Sequence, residues 1–247
     1  MMLSSQEVRW FFQGAIEQHQ ALRSWVEESD PIDGEVDVAR PTWKVRLGGK
    51  PDVYLLVPGH ADMGIKWREG QLQIKGLQSP LGTQLFSGRR EGRVERWIKW
   101  SYEGEPIKQA FAHWFREPGF AGPRIIEVFK TRCLRKARID PQTGQAKEVN
   151  AEEHIERGCA LEVAELRVGA DLYCSVAFEA FPDDSAMHAD FTSFVNCFLQ
   201  KLPDVALSES NSMGYPAWLD TISRNALPTE MLPGDVGGTV RTGNGDV

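Results

Sequence analysis

The sequence is poor in the features that would announce a function outright. Its four cysteines, at 133, 159, 174 and 197, form no CxxC or CxxH pair, which argues against a zinc site or a redox dithiol. Three of them stand in apolar, strand-like surroundings and read as small core residues. A reducing, cytoplasmic setting is therefore expected. No apolar run approaches the roughly 18 residues of a membrane span. The opening MMLSSQEVRWFF lacks the basic stretch and apolar run of a secretory signal, so no membrane partner is expected. Glycine-rich phosphate loops of the GxGxxG and GxxxxGK[ST] types are missing, as is the GxSxG serine motif. The five histidines (19, 60, 113, 154, 188) show no metal-ligand spacing. Positive charge is in deficit overall, with 28 Lys and Arg against 35 Asp and Glu. That balance argues against general nucleic-acid binding.

Against this background, the stretch GIKWREGQLQIKG (residues 64–76) stands out. A two-residue turn at Glu69-Gly70 would oppose Arg68 to Gln71, Trp67 to Leu72, Lys66 to Gln73 and Ile65 to Ile74. Side chains alternate between the faces of a strand, so this register sorts them cleanly. Ile65, Trp67, Leu72 and Ile74 fall on one face, and Lys66, Arg68, Gln71, Gln73 and Lys75 on the other. Further along, Lys130, Arg132, Lys136 and Arg138 share one face of residues 124–139, a segment whose only acid is Glu127.

The remaining elements follow from period and punctuation. Strands are expected at 6–12, 53–57, 93–102, 124–139, 159–168 and 172–181, and helices at 15–28, 106–115, 185–202 and 215–222. Phe191, Phe194, Val195 and Phe198 form the apolar stripe of the third helix. The Pro- and Gly-rich tail, 226–247, has little to bury and is expected to be disordered. Residues 1–225 then form a single domain. Hairpins and few helices indicate an α+β fold with a mainly antiparallel sheet. The tryptophans at 67, 97 and 100 alternate with basic residues, a pattern more typical of a strand's core face than of base stacking.

Long basic side chains converging from several strands make an anion site, above all for phosphate, because arginine offers a planar fork and lysine a compact charge. Carboxylates facing them could hold Mg²⁺ or Mn²⁺. The candidates are Glu7, Glu162, Glu165 and Glu179. Glu162 and Glu165 are three residues apart, so a regular strand sends them to opposite faces.

The order of these pieces resembles the CYTH superfamily, the triphosphate tunnel metalloenzymes. Glu7-Val-Arg9-Trp-Phe stands at the family's opening ExExK strand, D52-V-Y-L-L at its short strand, and K66-W-R68 with L-Q-I-K75 at its basic pair. F129-K130-T-R132 stands at its K-x-R strand, L161-E162-V-A-E165-L at its acidic strand, and S208-E-S-N-S-M-G-Y215 at its closing segment. The resemblance implies a tunnel-like antiparallel barrel with a few flanking helices. It implies Lys66, Arg68, Lys75, Lys130 and Arg132 as phosphate ligands, Glu7 and Glu162 as catalytic acids, and Glu7, Glu162 and Glu179 as ligands of Mg²⁺ or Mn²⁺. The partner is then a small phosphorylated anion, and the reaction metal-dependent hydrolysis of a triphosphate or polyphosphate. The first strand departs from the pattern, since the positions of ExExK are here Glu7, Arg9 and Phe11. One carboxylate fewer weakens a divalent site. The alternative is therefore a non-catalytic anion-binding or protein-interaction module on the same scaffold.

Overall fold

The computed structural model describes residues 2–14, 16–29, 42–45, 50–56, 59–107, 109, 124–202 and 205–225. Eight long strands run β1 (Met2–Gln13), β3 (Asp52–Leu56), β4 (Met63–Arg68), β5 (Gln71–Phe86), β6 (Arg90–Glu103), β7 (Arg124–Ile139), β9 (Gly158–Val168) and β10 (Asp171–Phe181). They pair in the order β7-β3-β4-β5-β6-β1-β10-β9, and β9 returns to β7, so the antiparallel sheet closes into a barrel. Two short strands, β2 (Lys44–Val45) and β8 (Ala146–Val149), also pair with β7. Helices α1 (Ile16–Glu28), α2 (Met187–Leu199) and α3 (Tyr215–Asn225) flank the barrel. The expected α+β, barrel-like architecture is thus the observed one. No helix among the described residues is long and apolar enough to cross a membrane.

The barrel wall has two different faces because each strand alternates. On β1, Val8, Trp10 and Phe12 point to the main core, and so do Cys174, Val176, Phe178 and Ala180 on β10 and Leu161 and Val163 on β9. That core lies under the helices: Leu22, Trp25 and Val26 of α1 and the expected stripe Phe191, Phe194, Val195 and Phe198 of α2. Trp10 meets the rings of Phe86 and Phe178 edge-on, at 6.2 and 6.4 Å. Gly92 is required beside it, since a Cβ there would lie 2.4 Å from the indole. Two buried arginines tie the helices down. Arg90 donates to the carbonyls of Leu199 and Leu202 at the end of α2 (2.7 and 2.8 Å), which supplies donors to carbonyls that a helix end leaves without partners. Arg135 makes a bidentate pair with Glu148 and donates to the Ser29 carbonyl after α1.

The hairpin register is the expected one, pair for pair from Ile65↔Ile74 to Arg68↔Gln71. Glu69 (φ 50°) and Gly70 (φ 84°) both take left-handed backbone, as a tight hairpin turn with the twist of its strands requires. Three differences from expectation concern where strands form and where they end. β1 begins at Met2 because its first residues pair with β6. β5 continues to Phe86 through Pro80, where register shifts at Leu77/Ser79 and Pro80/Gly82 absorb a residue that cannot donate to the ladder. β8 forms beyond the Gly144 break, its Glu148 held by Arg135. Most of the helix expected at 106–115 and the whole tail 226–247 lie outside the described residues.

One end of the barrel is filled by a second apolar cluster. Phe11, Tyr54, Leu56, Val128, Ala164, Leu166 and Tyr173 come from the wall, and Trp218 and Leu219 from α3. The Phe11 and Trp218 rings are stacked 4.5 Å apart with a 3° interplanar angle. Tyr54 and Tyr215 are stacked at 5.1 Å. Replacing Phe11 by Ala removes the central ring of this plug and should cost about 3 kcal/mol of stability, measured as a shift of the urea midpoint at unchanged slope. A loss below about 1 kcal/mol, typical of surface changes, would mean that α3 does not depend on this stack.

Candidate anion-binding tunnel

Above the plug, the inward face turns from apolar to charged. A cavity of about 180 Å³ is lined by Arg9, Lys66, Arg68, Lys75, Lys99, Lys130 and Arg132, with Glu7, Glu162 and Glu179 as the facing acids. Tyr54, Gly64 and Gln73 of the wall and Tyr215, Pro216 and Leu219 of α3 also line it. Every residue expected to contact phosphate is therefore in one place: Lys66, Arg68, Lys75, Lys130 and Arg132. The expected acids Glu7, Glu162 and Glu179 are there too. Lys136 and Arg138, on the same strand face as Lys130 and Arg132, instead reach the carbonyl and carboxylate of Glu153. Glu165 faces outward, as its three-residue offset from Glu162 demands, and meets Arg23 at 3.4 Å.

The carboxylates are tied up by the cations around them. Glu162 accepts from Lys130 Nζ (2.7 Å), Arg9 Nη1 (3.1 Å) and Arg132 Nη1 (3.2 Å). Glu7 accepts from Arg9 Nε (3.3 Å) and from Lys75. A further acid, Asp52, stands behind the lining on β3 and is bonded by Arg68, with Lys66 Nζ 3.7 Å away. Burial alone would push Glu162 up, but Lys130, Arg9 and Arg132 hold it well below the usual carboxylate range. Burial likewise works against the charge on Glu7, and Lys75 and Arg9 keep it below its ordinary value.

Even so, the cations outnumber the acids. Lys75 and Lys99 are directly paired across β5 and β6, an arrangement that destabilises a sheet when charges are alike. Lys75 is relieved by Glu7 and by the Trp97 ring, 5.1 Å from its Nζ. Lys99 has its pKa lowered by burial first, with Arg68, Lys75 and Arg132 adding to it against Glu179. Burial and the neighbouring Arg68 push Lys66 well below the usual lysine value. Burial is also the main cause that brings Lys130 down to about 8, against the pull of Glu162. The tunnel is thus a place where positive charge is costly.

Three contributors were not among the expected ligands. Lys99 was legible only as a basic residue on the 93–102 strand; its place in the tunnel follows from its pairing with Lys75. Tyr215 reaches the tunnel because α3 packs across the barrel end. Arg9 lies between Glu7 and Glu162 rather than outside them, its carbonyl held by Ser212 Oγ and Met213 N, both at 3.0 Å.

The expected metal-ligand set does not assemble as a donor cluster. Register puts Glu95, Glu7 and Glu179 in one row across β6, β1 and β10, but two of the three side chains are engaged elsewhere. Glu7 turns to Arg9 and Lys75, and Glu95 accepts from Trp97 Nε1 at 3.1 Å. Among the described residues, no three acidic, histidine or cysteine side chains converge as a metal site would need. A divalent ion at Glu7 and Glu162 would share their oxygens with cations that repel it, or displace those cations.

No family model and no curated protein matches the chain. Among solved structures, a conserved hypothetical protein from Pyrococcus furiosus aligns over 85% of this chain and 98% of its own, at 15% identity and a TM-score of 0.36. At that distance the likeness carries no inference about fold or activity.

The depressed lysines make stability rise with pH in the ligand-free chain. Between about 8 and the ordinary lysine value of 10.5, the unfolded chain holds a proton on Lys130 that the folded one has released. The unfolded state binding more protons means stability increases with pH across that window. Urea melts should therefore show a gain from pH 8 to pH 9.5, and Lys130→Met should flatten it. A wild-type curve that falls through this range would contradict the placement of a costly charge at Lys130.

Proposed function

We propose that the tunnel binds a compact polyanion of the polyphosphate type, such as tripolyphosphate or the triphosphate group of a small molecule, without hydrolysing it. The observation that carries this reading is the surplus of cations: seven line the cavity against three carboxylates. They also stand at different depths. The side chains of Arg9 and Lys130 are 11% and 10% exposed, and that of Arg132 is 40% exposed. A single carboxylate or monovalent anion would satisfy one level only. A chain of phosphoryl groups offers negative charge at each, and arginine forks and lysine ammonium groups are the usual partners of phosphate oxygens. The motif order that resembles the CYTH superfamily, together with a closed antiparallel barrel, supports polyphosphate over other polyanions.

The hydrolytic alternative requires Glu7, Glu162 and Glu179 to hold Mg²⁺ or Mn²⁺ and to help water attack. Arg9 and Phe11 stand where the family pattern has an acid and a lysine, and the oxygens of Glu7 and Glu162 are engaged by Arg9, Lys75, Lys130 and Arg132. These features favour binding without turnover.

Tripolyphosphate should raise the melting temperature of the full chain in a concentration-dependent way, with no release of inorganic phosphate. Lys66→Ala and Arg132→Ala should each weaken binding by about tenfold, the size of one charge-assisted hydrogen bond. Both should leave the ligand-free melting temperature unchanged or higher, because each removes a cation from a crowded cluster. Absence of any shift with tripolyphosphate, ATP or thiamine triphosphate would sink the reading. Steady phosphate release would replace it with the enzyme.

A further inference from the structure

We infer that the tunnel takes its polyanion bare, with no bridging divalent cation, and that Arg9 is the cation that meets the innermost phosphoryl group. This rests on the polyphosphate-binding reading above and adds to it the ionic form of the ligand.

The argument starts from sheet register. Arg9 on β1 is opposite Ala177 on β10, which is opposite Glu162 on β9. Two strand spacings of about 4.8 Å each separate Arg9 from Glu162, and only the Ala177 methyl stands between them. A long guanidinium side chain crosses that gap. Glu7, two residues along the same strand, is on the same face. The guanidinium therefore lies between the two carboxylates, with Nε on Glu7 and Nη1 on both Glu162 and Ser175 Oγ (3.3 Å). Its Nη2 has no partner among the described residues, and the side chain lines the cavity. Arg9 is also fixed in place. Its carbonyl is held by Ser212 and Met213, and its guanidinium carbon is 5.5 Å from the Tyr215 ring centroid.

A carboxylate pair facing a phosphate site is the usual place for Mg²⁺ or Mn²⁺, which needs several free oxygens. Here each oxygen of Glu7 and Glu162 already accepts from a cationic donor. A metal would have to share these oxygens with Arg9, Lys75, Lys130 and Arg132, whose positive charges repel it, or expel one of them and leave that charge buried and unpaired, which is costly. Arg9 thus supplies, from within the chain, the positive charge that a metal would bring with the ligand. Mg²⁺ in solution then competes with the tunnel for the phosphate oxygens.

The test is a calorimetric titration of the full chain with sodium tripolyphosphate, once with EDTA and once with Mg²⁺ in excess, paired with Mn²⁺ binding followed by electron paramagnetic resonance. Binding should be present in EDTA and several-fold weaker with Mg²⁺, and the unaltered chain should hold no tightly bound Mn²⁺. Tripolyphosphate binding that appears or tightens only when metal is added overturns this inference and leaves the polyphosphate reading standing. No binding in either buffer brings down that reading and this inference together. Arg9→Gln should lose about tenfold in affinity in EDTA, while Lys130, Arg132 and Lys75 still hold Glu162 and Glu7. A folded Arg9→Gln chain with undiminished affinity in EDTA overturns the role given to Arg9. Should that variant not fold, the comparison of EDTA with Mg²⁺ in the unaltered chain decides on its own.

Discussion

Three cationic groups hold the carboxylate of Glu162, and the interior of the barrel is organised around that contact. Taking an ion out of water costs several kcal/mol unless well-aligned partners offset it. Lys130, Arg9 and Arg132 reach Glu162 from β7 and β1, so one side chain on β9 ties together strands that do not all touch one another. Glu7 does the same for Arg9 and Lys75, and Asp52 for Arg68 and Lys66. Removing any of these acids would leave cations facing each other across a low-dielectric space. Lys99, directly beside Lys75, is offset more weakly, by Glu179 across the same cavity.

A charged interior forces the apolar core to the outside of the wall. In most small barrels the inward positions are filled by side chains that form the core. Here Val8, Trp10, Phe12, Val176 and Phe178 point outward instead, so the helices must cover them. That need explains the two buried arginines outside the tunnel. Arg90 fixes the end of α2 and Arg135 with Glu148 fixes β8 and the end of α1. Their role is to keep the lid on an external core, and neither lines the cavity.

The parts of this arrangement that a sequence can reveal are those governed by local rules. Period-two alternation and a Glu-Gly turn were enough to give the 64–76 hairpin its register and to put Lys66, Arg68 and Lys75 on one face. The same parity put Lys130 with Arg132 and separated Glu162 from Glu165. Parity does not say where along a face a tunnel stops, so Lys136 and Arg138 looked equivalent to Lys130 although they bond Glu153. Strand ends set by partners were hidden as well: β1 starts early because β6 is there to pair with it, and β5 runs through Pro80 only because two bulges accommodate it. The position of Arg9 was the least visible. Its charge reads as an obstacle to a metal, whereas its geometry, across Ala177 to Glu162, joins residues 153 positions apart and depends on register alone.

Arg9 and Phe11 act together on the inward face of β1. Phe11 stacks on Trp218 and meets Tyr215 edge-on at 5.5 Å, which makes the tunnel floor apolar. A lysine at that position would place its charge among the rings and aliphatic chains of Leu166, Tyr173 and Trp218. Arg9 is the next inward residue on the strand, and its guanidinium rests near both rings, 5.9 Å from Phe11 and 5.5 Å from Tyr215. The plug therefore presses Arg9 toward Glu7 and Glu162 and keeps it from turning into the floor. With an apolar end beneath it and anionic partners beside it, the one direction left for its remaining donor is the cavity. The same residue that occupies the carboxylates thereby also faces the cavity, where it is about as buried as Lys130.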